Sequence, residues 1–376
     1  MPHSSFVRRT SALPLIATLC LCTGLSAAAP KKGSATAVVS ASPQTAKPVA
    51  SSVATAATAP KAKTVSIVIE PGKPGTWSGK QANVATPINY ISSAGSDLYA
   101  VGSKTVFRSV NGGQEWSAQP VDFSGAAIWS FGQNDVWIAG SKLVHSTDQG
   151  ANWTVSTPFG KAGIYSLWAS NSLEFYAVGG GGAGVILYSK DGAKTFTKQS
   201  PGTKGGWLYY VIGNGDEVFV AGKEDIREGS RGVLLVTKDR GKNWKRLPVP
   251  TATSEFQSIT HICFADSSRM FITTSYEVYV TADRGKSWEN LFSTENAEIL
   301  GFACKGKDLY VAGRGRHFHH SSDGGATWNN NELTPVFTGK AMASVQAVHI
   351  TERGDVVAGG EGEYSDYSGS LFRLNR

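Results

Sequence analysis

From residue 76 to residue 373 the apolar positions fall in short runs rich in Val, Ile, Tyr and Phe, each cut off by Gly, Asn, Asp or Ser. Such runs predict strands joined by tight turns. They come in sets of three. The first set is Ile88–Ser92, Asp97–Val101 and Thr105–Arg108, and the second is Ile128–Phe131, Val136–Ala139 and Leu143–His145. The sixth is Leu300–Ala303, Leu309–Ala312 and His317–His320. A set is followed each time by one eight-residue pattern, Ser/Thr-x-Asp-x-Gly-x-x-Trp, which recurs six times and ends on Trp116, Trp153, Phe196, Trp244, Trp288 and Trp328. The spacings are 37, 43, 48, 44 and 40 residues. A strand-containing unit repeating at that period predicts a solenoid, propeller or array.

The residue types explain the turn. Asp148, Asp191, Asp239, Asp283 and Asp323 each stand two residues after a Ser or Thr that ends a strand. An Asp side chain there can accept backbone N–H groups of the turn that follows. Gly supplies the positive φ that other residues resist, and the closing aromatic can pack between sheets. Asn111 replaces Asp in the first copy and can form the same side-chain turn. The third copy has Ala193 where Gly is expected, so a different turn is expected there. One carboxylate per copy is too few for a calcium site, so these residues are expected to be structural and no metal is expected.

The pattern resembles the Asp box, or BNR repeat, of sialidase-type propellers, sortilin-like receptors and photosystem II assembly factors. The resemblance covers nearly all of residues 76–373 and is nearest to the photosystem II assembly factor-like group. It implies an all-β fold: a seven-bladed β-propeller of four-stranded antiparallel blades. A seventh set, Val345–Ile350, Asp355–Ala358 and Ser370–Leu374, follows the last pattern and leaves no chain for a fourth strand. Pro74-Gly75-Thr76-Trp77 resembles the end of another copy. An N-terminal strand near Trp77 is therefore expected to complete the last blade and close the ring, which removes exposed edges. A six-bladed ring with an appended hairpin is the alternative.

The two ends of the chain differ in composition. Residues 1–29 read as a secretory signal, with Arg8 and Arg9 before the apolar stretch Leu13–Leu25 and the small residues Ser26, Ala27 and Ala28. Leu19 and Leu21 precede Cys20 and Cys22, where a lipoprotein signal wants a small residue, so lipid anchoring is not expected. Residues 30–63 hold no aromatic and no acid and read as an unfolded linker. The propeller domain is thus 64–376, periplasmic or extracellular, monomeric, and without a transmembrane segment once the signal is removed. The net charge of +7 comes from seven Lys and Arg in residues 1–63, and the remaining 29 basic and 29 acidic residues balance. The high pI therefore gives no reason to expect nucleic acid.

Cys263 and Cys304 fall on the innermost strands of the fifth and sixth blades, about two residues out of register, and are expected to be buried free thiols rather than a disulfide. The eight-residue turns join third and fourth strands, so the connections between second and third strands emerge on the opposite face. There the lengths vary, with insertions at Gly179–Gly184, Lys223–Arg231, Arg314–His317 and Gly360–Gly369. Variable loops on a rigid scaffold are where binding resides. The candidate binding residues are Arg227, Arg231, Arg314, Arg316, His317, Glu361, Glu363, Tyr364 and Tyr367. Guanidinium groups suit carboxylates and phosphates.

Two functions follow. The resemblance implies a non-catalytic propeller that binds a protein or peptide partner and serves as an assembly or stability factor for an envelope complex, with no cofactor. The alternative is a glycoside hydrolase acting on extracellular glycans, which needs two carboxylates flanking the scissile bond. No spacing among Glu224, Asp225, Glu228, Glu361, Glu363 and Asp366 singles out a pair, and the Arg-Ile-Pro tripeptide of sialidases is absent.

Overall fold

A computed structural model describes residues 65–82, 86–157, 163–180, 184–227, 229–250, 258–294, 297–315, 317–330, 344–361 and 369–375. The signal and linker expected over 1–63 lie outside them. Every regular element among the described residues is a strand, paired antiparallel throughout. No helix among them is long and apolar enough to cross a membrane.

Five sheets have four strands each. The fourth-unit sheet is typical: Trp207–Asn214, Glu217–Ile226, Gly229–Thr237 and Lys245–Arg246. The first two units share one eight-stranded sheet, because Glu115–Ser130 runs for 16 residues as the outermost strand of the first unit and the innermost of the second. The last sheet takes a strand from the other end of the chain. Trp77–Gln81 pairs with Gly369–Leu374, Trp77 opposite Leu374 and Gln81 opposite Ser370. Just before it, Val65–Val68 adds a further strand to the outer edge of the first unit, opposite Glu115–Ala118.

The second strand of each sheet is almost wholly buried, as in Asp97–Val101, Val136–Gly140 and Phe175–Gly179. Buried hydrophobic clusters lie between consecutive sheets. One joins Ile138 and Val144 to Tyr99 and Val106, and another joins Phe271 to Phe302 and Val311. The last sheet shares a cluster with the first, where Val357 and Leu371 meet Ile88, Ile91 and Leu98. A second periodic signal appears here. Gly140, at the end of its second strand, and Gly222, within its own, sit where the inner strand crosses closely, and an added Cβ would lie 2.0 Å from the Ser124 oxygen and 2.1 Å from that of Trp207. The inner strand carries a bulge at the same level, between Gly125 and Ala127 and between Leu208 and Tyr210.

The six repeated turns share one hydrogen-bond scheme. In the five Asp copies the strand-ending hydroxyl donates to the carboxylate at 2.7–2.8 Å. The same carboxylate oxygen accepts the backbone N–H four residues on, at 2.9 Å in every case. Asn111 does likewise for the Glu115 N–H at 2.9 Å. The third turn does not differ. Ala193 takes φ 60° in the place of Gly and still donates its N–H to Ser189 at 3.0 Å. The hydroxyl and carboxylate bonds of the turn outweigh the steric cost of the left-handed conformation. Trp116 and Trp328 donate their ring N–H back into their own turns, whereas Trp288 reaches the Pro248 oxygen beyond the preceding sheet at 3.0 Å.

These bonds hold the carboxylates ionised. Hydrogen bonds from Thr195 lower Asp191 to about 2, and those from Asn243 lower Asp239 to about 2. Asp283 and Asp323 are pushed down further by Ser287 and Thr327. A group with a depressed folded pKa stabilises fully above its unfolded pKa, near 3.9, and loses that contribution as pH falls through the folded value. The denaturation midpoint should therefore hold level above about pH 5 and drop between about pH 4 and pH 2. A urea series across that range checks this, and replacing Asp191 and Asp239 by Asn should flatten the drop.

The two cysteines correct the sequence expectation. Cys263 and Cys304 form a disulfide with Cα atoms 6.0 Å apart. Cys304 pairs with Leu309, which pairs with Ser321, while Phe264 pairs with Met270, which pairs with Thr281. Cys304 is therefore equivalent to Phe264, and the true offset from Cys263 is one residue. An odd offset puts the two side chains on opposite faces of their own sheets, which is what facing sheets require.

Candidate functional site

The fourth-unit insertion is a strand extension rather than the loop the sequence suggests. Beyond Gly222 the two strands continue in register, with Glu224 opposite Arg231 and Asp225 opposite Ser230, up to Ile226 and Gly229. The extension rises past the level at which the other second strands end. Its flank meets the chain entering the sheet, where the Gly206 N–H donates to the Asp225 carboxylate at 3.1 Å. Gly205 and Gly206 have φ 69° and 88°, which lets this segment pass under the hairpin.

Glu224 is 3% exposed. Its two carboxylate oxygens accept separate guanidinium bonds, from Arg231 Nε at 2.5 Å and from an Arg246 terminal nitrogen at 2.8 Å. Burial alone would raise its pKa, but the hydrogen bonds and charges of Arg246 and Arg231 prevail and hold it below the usual carboxylate range. Arg231 remains 61% exposed at its side chain. With Lys204 and Arg227 these groups line a surface cleft of about 430 Å³.

A second group gathers where the inner strands of the third and fourth units meet the same face. Tyr165 lies 6.0 Å from both Trp207 and Tyr209, centroid to centroid. Trp207 packs against Gly180, where an added Cβ would lie 2.2 Å from the ring. Burial pushes the Tyr209 hydroxyl up to about 12, against a hydrogen bond with Ser258, and the charges of Asp225 and Glu298 add to the rise. Further in, the hydroxyls of Tyr90 of the first unit and Tyr210 of the fourth lie near each other, and burial pushes both up.

The sequence candidates divide among three places. Arg227 and Arg231 belong to the fourth-unit hairpin. Arg314 donates to Glu298 at 2.9 Å and bridges Ser344 through its backbone. Glu361 accepts from the Ser344 hydroxyl at 3.0 Å, so Arg314 and Glu361 converge on one residue. His317 is exposed and its ring is 5.8 Å from that of His319. Arg316, Glu363, Tyr364 and Tyr367 lie outside the described residues, as do Glu228 and Asp366. No group of three or more potential metal ligands occurs among the described residues. The sequence reading missed Tyr165, Trp207, Tyr209 and Arg246. The run Trp207-Leu208-Tyr209-Tyr210 reads as ordinary strand, and only the bulge between Leu208 and Tyr210 sets Tyr209 toward the face. Arg246 sits just after a repeated turn, where nothing in the pattern marks it.

Residues 208–332, which hold the fourth-unit hairpin, Arg246 and Arg314 but not Tyr165, Trp207 or Glu361, match the family described as photosynthesis system II assembly factor YCF48. The chain resembles the photosystem II assembly factor propellers. In a curated relative, the chloroplastic photosystem II stability/assembly factor HCF136 of Arabidopsis thaliana, 109 residues are 29% identical. That match spans 28% of this chain but only 25% of the relative's length. The structure of YCF48 bound to D1 peptide superposes with a TM-score of 0.60 at 18% identity, covering 82% of this chain and 99% of that one. YCF48 from Cyanidioschyzon merolae gives 0.59 at 16% identity, covering 80% and 98%. At those identities the two structures speak for the β-propeller fold alone.

Proposed function

We propose that the protein is an exported, non-catalytic propeller whose hairpin-bearing face binds an extended peptide of a partner protein, as an assembly or stability factor in the cell envelope. On this reading it is a seven-bladed ring closed by the strand Trp77–Gln81, and it acts as a monomer. The carrying observation is the rim made by Tyr165, Trp207 and Tyr209 beside the guanidinium-lined cleft of the fourth unit. Trp, Tyr and Arg are the residue types that dominate binding energy at protein interfaces. The related YCF48, captured with a D1 peptide, supports a peptide as the class of ligand. Glu224, one of the carboxyls a glycosidase could use as its acid, is ion-paired twice and held below the usual carboxylate range, whereas a glycosidic acid has to be held protonated.

An array of 15-residue peptides from envelope proteins should yield binders whose affinity falls at least tenfold in a Trp207→Ala/Tyr165→Ala variant that melts like the parent. Absence of any peptide binder, or turnover of a chromogenic glycoside by the unaltered protein, would overturn this reading.

A further inference from the structure

A buried acid in the wall of a basic cleft is, at first sight, a liability. Glu224 puts a negative charge under a surface that would otherwise carry Lys204, Arg227, Arg231 and Arg246. Its geometry gives it another use. Each carboxylate oxygen takes one guanidinium, Arg231 from the facing strand and Arg246 from the short outer strand. Each guanidinium has five N–H donors in a rigid plane, and the bond to Glu224 engages Arg231 through Nε and Arg246 through one terminal nitrogen. Two arginines that would otherwise sample many rotamers are thereby fixed side by side. Further donors remain on both, and the side chains are 61% and 38% exposed. The other acid in the wall, Asp225, is turned toward the Gly206 N–H. The four cations thus exceed the two anions at the cleft, and the acid that remains engages protein donors.

We propose that Glu224 is a positioning residue that holds Arg231 and Arg246 as a paired fork for one oxyanion, a carboxylate or phosphate presented by the bound segment, with Lys204 and Arg227 at its rim. Pre-ordering of two rotamer-rich side chains lowers the entropic cost that binding otherwise carries, and a guanidinium matches a planar or tetrahedral oxyanion with two parallel bonds. The inference deepens the peptide-binding reading and rests on it for the owner of the oxyanion. The anion site itself can be tested without a peptide.

The side-chain Nε–H signals of arginine are followed by NMR while inorganic phosphate, or in a parallel arm N-acetylglutamate amide, is added at constant ionic strength. Saturable shifts are expected at Arg231 and Arg246 but not at Arg269 or Arg284, and the arm that saturates at the lower concentration identifies the oxyanion. Charge alone predicts that Glu224→Gln, by removing a negative group, tightens anion binding. Positioning predicts the opposite, a loss of fivefold or more, with a similar loss in Arg231→Lys, which keeps the charge but not the fork. The lysine variant changes an exposed side chain and so keeps the test decisive if Glu224→Gln fails to fold. Tighter binding in Glu224→Gln, unchanged binding in Arg231→Lys, or shifts spread evenly over surface arginines would overturn the proposal. Saturable anion binding in a protein that takes no peptide would leave the cleft standing and sink the peptide reading instead.

Discussion

Replacing Trp77 with alanine is expected to lower stability by about 3–5 kcal/mol, the cost of removing a large aromatic side chain from a packed core. Trp77 is 6% exposed and meets Phe318 edge-on with ring centroids 4.8 Å apart. It also shares a cluster with Tyr310, Val345, Val356 and Phe372, so a strand near the start of the chain packs on the last two sheets. Its loss would leave a cavity lined by both sheets and weaken the pairing with Gly369–Leu374 that makes the last sheet four-stranded. Equilibrium denaturation in urea measures the effect, with Ser78→Ala, a partly exposed position on the same strand, as the control. A change below about 1 kcal/mol would mean that this strand adds little beyond the three C-terminal strands.

Breaking the disulfide is the second large effect. The bridge closes a loop with a sequence separation of 41 between adjacent inner strands. Chain-entropy reasoning gives about 4 kcal/mol for a loop of that size. The double variant Cys263→Ser/Cys304→Ser should therefore unfold at markedly lower denaturant, and reductant should lower the parent toward it while leaving the variant unmoved. Mass spectrometry of a non-reduced digest should find the two peptides joined. Stability equal to the parent in the variant would show that apolar packing around Phe271, Phe302 and Val311 fixes the two sheets unaided.

The two experiments probe different joins. Trp77 tests the pairing of chain ends that are nearly 300 positions apart, and the cysteines test the packing of sequence neighbours. The first join is a strand ladder within the last sheet, backed by Trp77 packing on Phe318 of the sheet before it, and the second links two separate sheets through side chains alone. Their loss should therefore reduce cooperativity as well as the midpoint, seen as a lower slope of the denaturation curve.

Much of the architecture is written locally. The turn Ser/Thr-x-Asp-x-Gly-x-x-Trp is readable because its hydroxyl, carboxylate and left-handed backbone lie within eight residues, and even Ala193 keeps it. Strand order within a unit follows from runs and turns, and a Trp near residue 77 shows in the same pattern. Other features depend on register, which no local pattern carries. One residue of offset between equivalent strands decided whether Cys263 and Cys304 faced each other. The continuation of pairing past Gly222 joined Lys223–Ile226 to Gly229–Gly232 as strands where the sequence suggests a loop, and so set Glu224 inward against Arg231. Arg246 joined them from beyond the next turn. By itself, then, the sequence determined the repeat, the all-β units and their turns, because those rest on interactions between near neighbours. The tertiary structure alone decided the disulfide and the grouping of Glu224, Arg231 and Arg246. These depend on which faces of separate strands meet, and one residue of register reverses a face.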